Sequence, residues 1–97
     1  MFEKIKQLKN LRDQAIQMKA MLAQEVVSAT AAGGKVSISM NGNQEIINID
    51  ISEELLAPQK KDECQKALKE AFNDANNKVK QLMASKLQSS GFNMPGL

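Results

Sequence analysis

The sequence predicts an α+β fold in which a long helix, a three-stranded antiparallel meander and a second long helix follow one another. Apolar residues recur every three or four positions in two long stretches, residues 2–24 and 62–88, as on one face of a helix. β-branched residues concentrate between these stretches. There, Asn41-Gly42 separates two runs of alternating apolar residues, which is the strongest short-range signal of a β-hairpin because both residues tolerate positive φ.

The first helix, predicted over residues 2–24, contains neither Gly nor Pro. Its apolar positions are Phe2, Ile5, Leu8, Leu11, Ala15, Met18 and Leu22. At 1.5 Å per residue, such a helix extends roughly 30 Å or more. A chain of 97 residues cannot cover a helix of that length on all sides, so we expect part of it to project or to pack on a partner.

Three short strands are expected next, joined by short connections that favour antiparallel neighbours. The first is predicted at Glu25–Thr30, and Ala31–Gly34 supplies the turn after it. On the second strand, alternation places three apolar side chains on one face: Val36, Ile38 and Met40. On the third, predicted at Glu45–Ile51, it does the same for Ile47, Ile49 and Ile51. Asn43 is also a turn former, so a loop longer than Asn41-Gly42 remains open.

The connector Ser52–Gln59 is predicted to hold a single helical turn that Pro58 ends. Asp62 is the expected N-cap of the second long helix, with Gln65 as its capping-box partner, and the helix should run to about Gln88. Its apolar stripe comprises Cys64, Leu68, Ala71, Phe72, Ala75, Val79, Leu82 and Met83.

The length corresponds to a single domain spanning residues 1–97. Gly91 stands where a glycine would close the second helix, and the Gly/Pro/Ser-rich segment 89–97 is expected to be a loose tail. A core of this size is thin, and pairing with a second copy is a common remedy.

Charge is distributed unevenly along the chain, although the net charge is only +2. Residues 1–24 carry five bases and two acids, residues 25–58 carry one base and five acids, and residues 59–97 carry seven bases and four acids. The two ends are therefore basic and the middle is acidic, so a polyanion would be held by the ends.

The composition argues against catalysis. There is no histidine, which excludes histidine-based triads and HExxH metal sites, and no glycine-rich phosphate loop is present. The acids are not spaced as a Ca²⁺ loop. Cys64 lies on the apolar stripe and is interpreted as a small core residue; a lone cysteine fits a reducing compartment. We expect no catalytic residue, cofactor, metal, small-molecule substrate or membrane span, and a cytoplasmic location.

Several motifs, in this order, resemble the YbaB/EbfC family of bacterial nucleoid-associated DNA-binding proteins. Gly34-Lys35-Val36 leads a strand into Asn41-Gly42, and Ala71-Phe72-Asn73-Asp74-Ala75 resembles the family's A-x-N-D-A signature. Gly91 followed by Met94-Pro95-Gly96 resembles the family's Gly/Pro-rich C-terminal end. The resemblance spans nearly the whole chain. It implies a homodimer in the bacterial nucleoid whose projecting helices form a tweezer-like shape and bind duplex DNA.

The residue types favour contacts with the phosphates of double-stranded DNA and weak sequence preference. Three aromatic residues provide no stacking platform for single strands, and a single Arg limits bidentate readout of guanine. Lysine contacts with phosphate are independent of sequence. The predicted contact residues, mainly on the first helix and with a smaller share on the second, are Lys4, Lys6, Lys9, Arg12, Lys19, Lys78, Lys80 and Lys86.

Two other functions use the same amphipathic helices. A prefoldin-like holdase also has two long helices joined by short strands, with Met-rich apolar faces that hold unfolded chains. An odd number of strands argues against this alternative, because it does not return the two helices as an antiparallel pair. An adaptor whose helix binds another protein is the second alternative.

Overall fold

A computed structural model describes residues 2–89 and confirms the predicted order of a helix, three antiparallel strands and a second helix. The elements are α1 (Phe2–Gln24), β1 (Val26–Ala31), β2 (Val36–Asn41), β3 (Ile46–Ile51) and α2 (Lys61–Ser89). Short 3₁₀ turns occupy Ala32–Gly34, Glu53–Leu56 and Pro58–Lys60. Apart from Ser89, which ends α2, the predicted tail and the Gly91 cap lie outside the described residues.

The strands form one sheet in the order β1-β2-β3, and α2 packs chiefly against β1 and β2 on one face. Alanines recur every four residues on the side of α2 that faces the sheet, and their small side chains allow close approach. The buried core comprises Ala29, Val36, Ile38, Met40, Leu55, Ala67, Ala71, Ala75 and Val79. Phe72, which belongs to the predicted stripe, is 40% exposed and lies at the rim of this core.

The connection between β3 and α2 differs from the predicted single turn. Two 3₁₀ turns follow one another, and Ala57 between them is extended (φ −66°, ψ 142°), as the residue before a proline prefers. Leu55 of the first turn is buried in the core. Because α2 begins at Lys61, Asp62 lies inside its first turn, near the positive end of the helix dipole. The predicted capping box of Asp62 and Gln65 is therefore wrong.

The hairpin predicted around Asn41-Gly42 is confirmed, and its connection is the longer loop that Asn43 left open: residues 42–45 form a four-residue loop between β2 and β3. Asn41 organises this loop: its Oδ1 accepts hydrogen bonds from the backbone N–H groups of Asn43 (3.0 Å) and Glu45 (3.1 Å). The positive φ in the loop falls on Gln44 (63°), not on Gly42.

A β-bulge follows the loop in β3. Met40 of β2 lies opposite Ile46. Its neighbour Ser39 lies opposite Asn48, so Ile47 is the extra residue of the bulge. The predicted face of three alternating isoleucines is corrected accordingly, since residues directly opposite one another share a face of the sheet. The β3 side chains that share the face packed against α2 are Ile46, Ile49 and Ile51.

α1 is joined to the sheet through its last turn. The backbone N–H of Gly42 donates to the carbonyl oxygens of Leu22 (2.8 Å) and Glu25 (2.9 Å). Asn43 Nδ2 donates to the carbonyl oxygen of Lys19 (2.9 Å). The Leu22 carbonyl belongs to the last turn of α1, where carbonyl groups lack partners within the helix itself. A Cβ atom at position 42 would lie 2.6 Å from the Leu22 carbonyl oxygen, so this junction requires glycine.

Beyond this junction, α1 projects from the sheet, in agreement with the length argument. The chain measures 64 × 22 × 21 Å and its radius of gyration is 18.5 Å. A compact domain of this length has a radius of gyration of about 13 Å. The difference reflects a small sheet-and-helix body with a long helical arm.

Replacing Gly42 with Ala should lower the free energy of unfolding by about 1–3 kcal/mol, because the added methyl group overlaps the Leu22 carbonyl. Urea denaturation followed by circular dichroism measures the change. Gly33→Asn is the matched control: φ is 65° there, which Asn tolerates, and a Cβ would meet no atom within 4 Å. Equal stability of Gly42→Ala and the parent would show that α1 is not held in this way.

Candidate nucleic-acid interface

Five basic side chains lie along α1: Lys4, Lys6, Lys9, Arg12 and Lys19. All five are exposed, and none forms an ion pair within the part of the chain that the structure describes. Lys6, Lys9 and Arg12 follow one another at intervals of three, so each is a neighbour of the next on the helix surface. We call these three residues the basic row.

The basic row winds around α1. Three residues of an α-helix turn through about 300°, so each member is displaced by about 60° around the axis from the one before. The row therefore crosses the surface diagonally, in the manner of an i±3 ridge. The cations form a curved line of charge and not a flat patch.

The three predicted residues of α2 differ in what surrounds them. Lys78 Nζ donates to the backbone carbonyl oxygen of Ser28 on β1 (2.8 Å) and lies 4.0 Å from Asp74 Oδ2. Lys86 Nζ lies 2.7 Å from Glu25 Oε1. Of these three lysines, Lys80 alone is exposed and has no ion pair among residues 2–89. Lys78 and Lys86 thus have structural contacts that connect α2 to β1 and to the end of α1.

Three further lysines of α2, which the sequence prediction omitted, have no ion pair within residues 2–89: Lys61, Lys66 and Lys69. They are exposed, and they lie off the buried Ala67–Ala71 side of the helix. Their positions between apolar residues of the sequence indicate that they face solvent. Acids such as Asp62 and Glu70 stand next to them, so the net charge of this part of α2 is close to zero. The basic row carries a denser charge, with no acid between its members.

The acidic middle of the chain is partly neutralised by its own contacts. Lys35 Nζ lies 3.1 Å from Glu54 Oε2. The hydrogen bond to Glu54, followed by its charge, raises the pKa of Lys35 above the usual 10.5. Because the folded-state pKa is raised, the pair contributes its full stability below pH 10.5 and loses it as pH rises through the folded value.

An apolar groove of about 320 Å³ separates α1 from the C-terminal half of α2. Its apolar lining comes from Leu11, Ala15, Met18, Leu22, Met83 and Leu87. Among the described residues, no three or more Cys, Asp or Glu side chains are grouped so as to hold a metal ion. Across the same residues, no helix is both long and apolar enough to cross a membrane.

Residues 1–94 match the model of the YbaB/EbfC DNA-binding family. A nucleoid-associated protein of Syntrophobacter fumaroxidans is 31% identical over 99% of this chain and 89% of its own length. One from Bacillus subtilis is 38% identical over 77% of this chain and 72% of its own length. An uncharacterized protein from Helicobacter pylori has the same fold, with a TM-score of 0.71 at 24% identity; the match covers 86% of this chain and 87% of that one.

Lys78→Met should lower the free energy of unfolding by about 0.5–1.5 kcal/mol, because it removes the donor to the Ser28 carbonyl but retains most of the apolar stem. Lys80→Met, two residues away and unpaired, should change stability by less than about 0.5 kcal/mol. Urea denaturation of both variants provides the comparison. If the two variants unfold alike, the bond to β1 contributes nothing measurable.

Proposed function

The chain belongs to the YbaB/EbfC DNA-binding family. From this premise we propose that it binds double-stranded DNA as a homodimer, in the cytoplasm at the nucleoid. The main support from this chain is the unpaired basic row on a helix that projects from the body. Lys4 and Lys19 lie at either side of the row along α1 and extend the contact, whereas α2 contributes through Lys80 and, more weakly, through Lys78 and Lys86.

Phosphates are the groups that this surface suits. Lysine acts as a point charge toward phosphate, and Arg12 is the only arginine available for bidentate base contacts. Binding that neutralises phosphates releases counterions and depends little on base sequence. The interaction is therefore proposed to be strongly salt-dependent and weakly sequence-specific.

A second copy is supported by the amount of apolar surface that a single chain leaves uncovered. Side chains more than half exposed on α1 are Ile5, Leu8, Leu11, Ile16 and Met21. A second group, on β3 and α2, is 40–53% exposed: Ile46, Ile47, Ile49 and Phe72. Exposed apolar surface of this extent is typical of interfaces. A dimer would also present two copies of the basic row, which doubles the number of phosphate contacts.

A double variant that carries both Lys9→Glu and Arg12→Glu reverses two charges of the basic row. Its affinity for any duplex should be lower by about tenfold or more, since the glutamates repel the phosphates that the parent residues attract. Gel-shift titrations over several salt concentrations measure the effect. The charge-neutral Lys9→Gln and Arg12→Gln variant should also flatten the dependence of log affinity on log salt, by up to about 0.9 per lost contact.

The matched control carries Lys61→Glu and Lys66→Glu, which change the total charge equally on exposed positions of α2. This control should bind nearly as the parent does. If it weakens binding more than the α1 variant does, while both keep native helix content and parental mass, the DNA surface lies on α2.

Sedimentation equilibrium at micromolar concentration should give about twice the chain mass of 10.7 kDa. The thin core and the uncovered apolar groups motivate this expectation. A folded species of monomer mass under those conditions would exclude the homodimer, and with it the doubled basic row.

A further inference from the structure

The apolar groove separates α1 from the C-terminal half of α2, and these two helices make few direct contacts with one another. Their facing side chains enclose a volume of about 320 Å³. An apolar cavity of roughly 150 Å³ is enough to hold a benzene molecule. The groove therefore has room for a large apolar side chain that belongs to neither helix.

The walls of the groove favour an occupant that is apolar and uncharged. Leu11, the lining residue of α1 that lies farthest from the last turn of the helix, is 62% exposed. Lys86 also belongs to the lining, and its Nζ lies 2.7 Å from Glu25 Oε1, so its charge is already paired. An occupant that covers Leu11 and Met83 would gain free energy of burial, because it would remove apolar surface from water.

The sequence supplies a candidate occupant directly after α2. This helix ends at Ser89, two residues after Leu87 of the groove lining. Gly91 then stands at the C′ position, where glycine commonly reverses the chain at a helix end. In that motif, the residue after the glycine often packs on the third residue from the end of the helix. Those two residues are Phe92 and Leu87, so the motif would place the Phe92 side chain against the groove.

We propose that segment 90–97, which we call the strap, turns back at Gly91 and places Phe92 in the groove of its own chain. The strap contains Phe92, Met94 and Leu97 but no Asp, Glu, Lys or Arg, so no charged side chain of the strap loses water. It is also tethered directly to α2. A short tether gives an effective concentration in the millimolar range, so a separate molecule at micromolar concentration competes poorly.

The strap would join α1 to α2 without covering the basic row. Lys9 and Met18 are nine residues apart on α1, about two and a half helical turns, so they lie on opposite sides of the helix. Met18 lines the groove. An occupied groove therefore leaves Lys9 accessible to phosphates. The role of the strap is to hold the arm, and it is independent of the DNA binding proposed above.

Tryptophan fluorescence of the full chain tests the proposal. The chain has neither Trp nor Tyr, so Phe92→Trp introduces a single reporter. Its emission should lie at shorter wavelength than in the same chain unfolded in urea, and acrylamide should quench it weakly, because the ring is covered. Adding Ala15→Glu places a carboxylate in the groove and should shift the emission to longer wavelength. Ala20→Glu, on another side of α1, is the matched control and should leave the emission unchanged.

Two outcomes would overturn the proposal. One is the emission of a solvent-exposed ring from a Phe92→Trp chain that retains native helix content. The other is equal emission from the Ala15→Glu and Ala20→Glu versions of that chain.

Refolding the Ala15→Glu, Phe92→Trp chain from urea with an excess of parent chains tests which groove the ring enters. The emission should stay at long wavelength, because the groove of the same chain carries the glutamate. A return to shorter wavelength would show that the ring enters the groove of another copy, and would overturn the assignment to its own chain.

Urea denaturation provides a second measurement if Ala15→Glu loses helix content. Phe92→Ala should lower the midpoint of unfolding, because the strap then loses its largest apolar side chain. Asn93→Ala, at the next position, should unfold as the parent does. Equal midpoints for Phe92→Ala and the parent would also overturn the proposal.

Discussion

The junction between the last turn of α1 and the β2–β3 loop determines the shape of this chain. The N–H of Gly42 serves a carbonyl group at the end of α1, and Asn43 serves another through its side chain. The Lys86–Glu25 ion pair adds a third connection at the same end. A helix of 23 residues without Gly or Pro is stiff, so the hydrogen bonds at its C-terminal end help to orient all of it. The N-terminal half, with the basic row, is left to project.

The distribution of side-chain size is consistent with a fold that is completed by association. Among the residues that the structure describes, alanine contributes four of the nine buried core residues, and the largest fully buried side chains are Ile38, Met40, Leu55, Val36 and Val79. Phe72 and most isoleucines of β3 remain partly exposed. Apolar burial contributes roughly 25 cal/mol per Å², so a core of small side chains gains little on its own. Covering the larger apolar side chains at the surface by a partner would contribute further free energy of burial.

The elements were predictable from periodicity, but several contacts were not. Spacing of three and four located both helices, and β-branched runs located the strands. The Asn-Gly pair predicts a turn at Gly42 because both residues tolerate positive φ. In the structure, Gly42 is needed because its backbone lies close to Leu22, and a pattern of neighbouring residues does not reveal such a contact. Lys78 was interpreted as a solvent-facing cation for the same reason: its partner, the carbonyl of Ser28, lies 50 positions away in sequence. The basic row could be predicted because it depends on the residues of α1 alone.

The interleaving of charge and apolar residues explains why α1 stays extended. Docking the arm on the body would bury Ile5 and Leu8, each worth about 1.5–3 kcal/mol when fully covered. It would also remove water from Lys9 and Arg12, at several kcal/mol for each unpaired ion. The desolvation cost equals or exceeds the gain, so the arm has no favourable site on its own chain. In the proposed function, phosphates would neutralise these cations while the apolar side chains remain at the surface. The pattern that prevents α1 from packing is therefore the same pattern that keeps its charges available to a polyanion.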